Sequence, residues 1–475
     1  MSRTVSFVSF YVISLLLLTI LPVTQAFAEI PRELNQQIEE EYREQLESTE
    51  KETLQGEKPW LIDWGGWNTF YYAHFEGYDQ PAARKEILKN IAYIDNRVWT
   101  KVTFNPNRQD PASKTQELYI RLKQRMQWEN QGRADYDNIT LDMGYITLRH
   151  SLWTVRFGRQ FMRIGRGIVY QDIHDGFDIR LNLPKWQIKT IVSKTRRGEK
   201  NIDTSQPGYG EEHRRWFFGT EARYRGFRYH KPYIYFLSQN DRSREKPDNT
   251  TAGFRYNSQY FGGGSEGQLF LRQLRYWTEL MFETGESYLS GSTQKKPIHA
   301  WGTNMGVAYY IDHVTKPQLN FEYLFGSGDP ERGSVTNTTS GNTSGNDLNF
   351  LYFGTYRTGF ATNFRISNIH IFRAGISAKL LKWHPDLKKH DVTAGVNAYW
   401  YRKNKNSGVI SDIDASNTNN HVGEEINFFV DWRITSDLLW SFKFGAFNTG
   451  EAFNNNTAGE DSNLKFLSTN LTLTF

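Results

Sequence analysis

The chain predicts an all-β fold, a transmembrane antiparallel β-barrel of about 18 strands forming a monomeric pore. Three observations predict it: an export signal at the start, abundant aromatic residues without any long apolar run, and segments of alternating polarity that continue to the last residue.

The signal comes first. Arg3 precedes an apolar run from Tyr11 to Val23 that ends in Ala26-Phe27-Ala28, a small-residue cleavage pattern placing the cut before Glu29. An anchor helix is the alternative, but the run falls short of the roughly 20 residues that a helical span needs. Residues 1–28 are therefore read as a secretory signal peptide.

No later stretch is apolar enough for a spanning helix, and the mean hydropathy is −0.65. Barrel strands escape that test, because only alternate residues meet lipid and the average stays polar. The chain contains 32 Phe, 26 Tyr and 14 Trp, a supply that suits interfacial girdles. It has no cysteine, so neither a disulfide framework nor a thiolate site is available to an exported chain that could have formed one. No cofactor and no nucleic-acid partner is expected.

Residues 29–58 hold ten Glu against Arg32, Arg43, Lys51 and Lys58. Leu34, Ile38, Tyr42 and Leu46 recur every four residues, a narrow apolar stripe on an acidic helix. Composition favours a solvated periplasmic leader; the alternative that the stripe offers is docking to a periplasmic scaffold protein. The net charge is +5; with Arg3 in the signal and −6 on this leader, +10 remains for residues 59–475, the expected barrel.

From Trp60 onward, period-two segments are separated by clusters of Gly, Asn, Asp, Ser and Pro. In 425–433, Ile426, Phe428, Val430 and Trp432 are expected to face lipid, with Glu425, Asn427, Asp431 and Arg433 inward. After a turn at Ser436-Asp437, Leu438, Trp440, Phe442 and Phe444 continue the outer face and leave Lys443 inside. Leu467, Leu471, Leu473 and Phe475 close the chain on an aromatic, which resembles the signal read by the barrel-assembly machinery. Candidate strands number 16 to 19, and closure of a single-chain barrel favours an even count, hence 18. Residues 327–349 and 403–422 read as extracellular loops.

The same parity points cations inward. Leu118, Ile120, Leu122, Met126 and Trp128 share one face of their segment, and Arg121, Lys123 and Arg125 share the other. Trp153, Val155 and Phe157 leave Arg156 inside; Trp186, Ile188 and Val192 leave Lys189 inside. These cations could simply pair with inward carboxylates such as Glu425 and Asp431. The surplus of positive charge over residues 59–475 favours an anionic cargo, because cations in a narrow pore offset the cost of dehydrating an anion.

Several stretches resemble the alginate-export family of outer-membrane proteins. They are FGRQFMRIGRGIVYQDIHDGFDIRL from Phe157, FLSQNDRS from Phe236, LRYWTEL from Leu274, FEYLFGSGD from Phe321 and EEINFFVDWRITSDLLWSFKFGAF from Glu424, in the family's order. The resemblance implies a monomeric 18-stranded barrel whose arginine-rich pore passes a polyuronate, and it places Arg159, Arg163 and Arg166 in a basic stretch that the family uses. Gly165-Arg166-Gly167 departs from the family, where acidic residues are common.

Asp172, His174, Asp175 and Asp178 lie close together, but no nucleophile elbow or zincin motif accompanies them, and a hydrogen-bonded rim is the plainer reading. No catalytic or metal site is expected; Asp329 and Glu331 supply too few ligands for a calcium loop. A porin taking up small organic acids or oligosaccharides would need the same barrel and basic lining. A secreted β-rich lectin would share the signal and the aromatics, but not apolar faces through successive hairpins.

Overall fold

The computed structural model describes residues 60–475 except 78–89, 106–114, 130–134, 197–213, 243–254, 290–291, 293, 339–341, 385–386, 388–389, 413 and 454–462. The signal and the acidic leader lie outside the described residues.

Eighteen long strands form one antiparallel sheet that closes on itself. The first part of the wall is β1 (Trp60–Glu76), β2 (Asn90–Phe104), β3 (Thr115–Glu129), β5 (Thr140–Arg149), β6 (Trp153–Ile164), β7 (Tyr170–Asn182), β8 (Trp186–Lys194), β9 (Arg215–Tyr224) and β10 (His230–Asp241). It continues through β11 (Asn257–Gln268), β12 (Leu274–Tyr288), β13 (Lys295–Tyr310), β14 (Gln318–Gly326), β15 (Ile369–Lys379), β16 (Asp391–Lys403), β17 (His421–Arg433), β18 (Leu438–Thr449) and β19 (Leu464–Thr474). A two-residue β4 (Asp135–Tyr136) pairs only with β3. Closure is made by β1, which pairs with β2 on one side and with β19 on the other, from Trp67 opposite Thr474 to Glu76 opposite Lys465. Gly66 and Phe475 exchange backbone hydrogen bonds of 2.9 and 3.0 Å, so the ladder leaves no free edge at the seam.

The predicted parity holds where it was clearest. In β17 Ile426 is 58% exposed while Glu425 and Asn427 are fully buried. Leu118, Ile120 and Leu122 are exposed on β3 while Arg121 is buried, and Leu471, Leu473 and Phe475 are exposed beside buried Ser468, Asn470 and Thr472. Short turns at 150–152, 183–185 and 434–437 lie at one end of the wall. The strand ends joined by the long connections, such as Lys194 to Arg215, Gly326 to Ile369 and Lys403 to His421, lie at the other, the asymmetry of outer-membrane barrels with their long loops outside.

Two segments from the long-loop end do not stay outside. They fold into the lumen and pack against inward wall residues, contributing Ile164, Val169, Tyr170, Phe350, Leu351, Phe360 and Phe364 to its buried apolar cluster.

Candidate functional site: a cation-lined lumen with two inserts

The first insert is the tip of the β6–β7 hairpin. Pairing of β6 with β5 stops at Arg159, and pairing of β7 with β8 begins at Asp175, although β6 and β7 stay paired out to Ile164 opposite Tyr170. Residues 160–174 therefore leave the wall as a free hairpin. The departure lies beside a facing glycine pair, Gly158 and Gly176, and Gly158 has φ +125°, where a side chain would be strained. Ile164 packs against the inner side of β8–β10, close to Ile191 and Leu237. The turn beyond it hangs from wall carboxylates: Gly165 N–H donates to Glu221 at 2.9 Å and Arg166 N–H to Glu279 at 3.1 Å.

The second insert is the β14–β15 connection, residues 327–368. Residues 327–349 were expected as an extracellular loop; Asp347 bonds to the backbone at the outer end of β13, and the connection continues beyond that span, with residues 350–364 running on into the lumen. Leu351 N–H donates to Glu283 at 2.8 Å, and Glu425 accepts from the backbone of Phe360, Ala361 and Thr362 at 2.6, 2.9 and 3.1 Å. The two inserts join through Phe353 N–H to Val169 carbonyl at 2.9 Å and Gly354 N–H to Ile168 carbonyl at 3.0 Å. Four buried glutamates thus act as wall brackets that satisfy inserted backbone donors, which away from bulk water would otherwise be left unpaired.

The cations fall into two groups. On β2, β3 and β5, Asp95 takes Arg97 and Arg125, each at 2.7 Å, with Lys123 at 3.7 Å. Asp142 takes Arg121 at 2.6 Å and Arg97 at 3.3 Å. Asp142 is the extra residue of a β-bulge, because Arg121 pairs with Met143 and Leu122 with Leu141. Arg97 and Arg121 also lie over the Trp67 ring, and Arg125 over Tyr93 at 4.4 Å. Four cations here share two carboxylates.

The second group ties the inserts to β8–β15. Arg166 donates to Asn304 at 3.0 Å and lies over Trp277 at 5.2 Å. Asn304 donates to Glu322 at 3.0 Å; Glu322 also accepts from Tyr356 and pairs with Arg373 at 3.2 Å. Lys189 donates to the Arg163 carbonyl at 2.5 Å and lies 3.5 Å from Glu221.

The model of the alginate export family matches residues 70–466. The chain belongs to the alginate export family. A search of curated proteins finds no match. Among solved structures, the barrel is similar to three porins of Pseudomonas aeruginosa. OpdK, determined with vanillate, has a TM-score of 0.54 at 10% identity over 87% of this chain and 98% of its own. OccK8 (OprE) gives 0.53 at 9% over 87% and 98%. OprD gives 0.51 at 10% over 87% and 94%. At such identities the likeness concerns the fold, and together with the family it makes this an outer-membrane channel barrel.

Within this alginate-export barrel the predicted residues separate. Arg121, Lys123 and Arg125 form one cluster; Arg156 lies over Tyr145 at 4.5 Å, further round the same inner wall. Arg159 sits where the hairpin leaves the wall, bonded to Asp175 at 2.8 Å and to the Leu141 carbonyl at 2.9 Å. Arg163 and Arg166 ride on the inserted tip. Glu425 is occupied as a loop bracket, Lys443 lies over the loop's Phe360 at 5.8 Å, and Asp431 accepts from Ser441 at 2.6 Å. Arg433 is at the short-turn end, donating to the Ser436 carbonyl at 3.2 Å. Of the 172–178 group, His174 lies 3.6 Å from Asp172 and 2.8 Å from the Tyr170 hydroxyl, whereas Asp175 turns to Arg159 and Asp178 to Arg180 at 2.8 Å.

Arg97, Arg223, Arg357 and Arg373 went unpredicted. Arg97 and Arg223 share inward faces with Tyr93 and Phe217, so apolar residues on the lumen side hid the alternation. Arg357 lies on the inserted loop, where no period exists to read.

Proposed function

We propose that this barrel is a passive channel exporting an anionic polysaccharide such as alginate. The observation that carries the reading is the excess of cations over carboxylates on the β2–β3–β5 arc. The wall carboxylates that hold the inserts' backbone lie on β9, β12 and β17, so the polymer path is assigned to the arc opposite, past Lys123, Arg125 and Arg156, with Arg97 and Arg121 buried behind them. Guanidinium forks meet carboxylates two bonds at a time, while the shared Asp95 and Asp142 keep each site shallow enough to release the chain. The segment 29–58 is assigned to a periplasmic scaffold, and the strand ending at Phe475 to the assembly machinery.

A second reading, uptake of small anions, is favoured by the narrowing that two inserts impose; OpdK, of similar fold, was determined with the aromatic acid vanillate. Planar-bilayer recordings separate the two. Oligouronates should block single-channel current at lower concentration than vanillate does, with block weakening as salt rises. Free permeation by vanillate with no oligouronate block would exclude export.

A further inference from the structure

The outer wall carries a groove near the long-loop end of β15 and β16, lined by His370, Phe372, Trp400, Arg402, Asn404 and Asn420, among others. Phe372 and Trp400 are exposed on the lipid-facing parity, opposite to buried Ile371 and Tyr401. His370 and Arg402 face each other one step further out on that parity. β15 has 11 residues, which at about 3.3 Å each and a tilt of about 45° rise roughly 25 Å, the height of the apolar band. Phe372 and Trp400 therefore sit at the top of the lipid belt and Arg402 just above it.

One polar group of this groove, His370, is set in place from behind. His370 Nδ1 is 2.8 Å from the Tyr323 hydroxyl, and its ring packs on Phe325 with centroids 4.7 Å apart. Arg402 is exposed, and among the described residues its guanidinium has neither a hydrogen bond nor an ion pair, unlike the lumen cations. The neighbouring acid, Glu424, is engaged by His421 at 2.8 Å.

We infer that this groove binds a phosphorylated glycolipid of the outer leaflet, lipid A. Its phosphate would take the Arg402 fork, its sugar hydroxyls the amides of Asn404 and Asn420, and an acyl chain the faces of Phe372 and Trp400. Charge complementarity selects this occupant, since a second protein copy would have to cover a free guanidinium at membrane height. The site is independent of what the lumen carries.

Native mass spectrometry of the full barrel in detergent tests it, with lipid A, dephosphorylated lipid A and phosphatidylglycerol as probes and unheated gel migration as the check of folding. Wild type should retain lipid A about tenfold better than dephosphorylated lipid A, the size of one charge-assisted hydrogen bond lost, and better than phosphatidylglycerol, which keeps a phosphate but offers no sugar hydroxyls to Asn404 and Asn420. Arg402→Gln should abolish the preference for phosphate, and Trp400→Ala should weaken all three lipids. Arg402→Gln lies on the exposed rim and reports even if Trp400→Ala fails to fold. Equal retention of the three lipids by wild type, an unchanged preference in Arg402→Gln, or a dimer that excludes lipid A would each overturn the proposal.

Discussion

The Glu425 carboxylate on β17 accepts the backbone N–H of Phe360, 65 residues earlier in the chain, at 2.6 Å. It also accepts from Ala361, Thr362 and the Tyr401 hydroxyl, the last at 3.1 Å, so one wall side chain holds three successive residues of the long loop.

Replacing Glu425 by Ala should leave three backbone donors unpaired and cost about 1–3 kcal/mol for each that stays dry. The barrel should still close, because its ladder does not involve this side chain. Open-channel noise should rise and protease should cut near residues 358–364. A quiet, uncut channel would mean that the loop is held elsewhere.

Arg121 and Arg125 should behave differently although they share a strand face. Arg121 is 4% exposed and bound to Asp142, so Arg121→Glu places two acids together in a buried site and should cost on the order of 3–5 kcal/mol of stability. Arg125 is more open, and Arg125→Glu should lower anion selectivity, read as a shifted reversal potential in a salt gradient. Unchanged selectivity in Arg125→Glu removes the arc from the proposed path.

The hairpin tip depends on Gly158. A Cβ there would lie 2.3 Å from the Gly144 carbonyl oxygen, on a backbone with φ +125°. Gly158→Val should cost about 1–3 kcal/mol, seen as a lower urea midpoint for loss of the unheated gel form. Gly333 has nothing within 4 Å of its Cβ position and is the control.

Replacing residues 350–362 with a short Gly-Ser bridge should widen the lumen. Conductance should increase several-fold and oligouronate block should weaken, since both inserts lose their junction at Phe353 and Gly354. Unaltered conductance would show that the loop does not limit the passage.

Much of the wall was legible beforehand. Ile426, Phe428 and Leu471 alternate with Glu425, Asn427 and Asn470 because one face must meet hydrocarbon and the other must not, and that demand is written at a spacing of two. The inserts were not legible in the same way. Residues 160–174 continue the strand pattern without announcing that they leave the sheet, and 327–368 have no period at all.

The sequence by itself determined an outer-membrane β-barrel and, in its cleanest strands, which residues face away from lipid; it left 16 to 19 strands with 18 favoured, and the closed sheet made the count 18. Only the tertiary structure decided what the inward residues do. Inward parity is common to Glu425, which holds a loop, and Arg125, which stands on the arc opposite the inserts' hydrogen bonds. The difference is set by partners as distant in sequence as Phe360, and contacts at that range leave no local pattern.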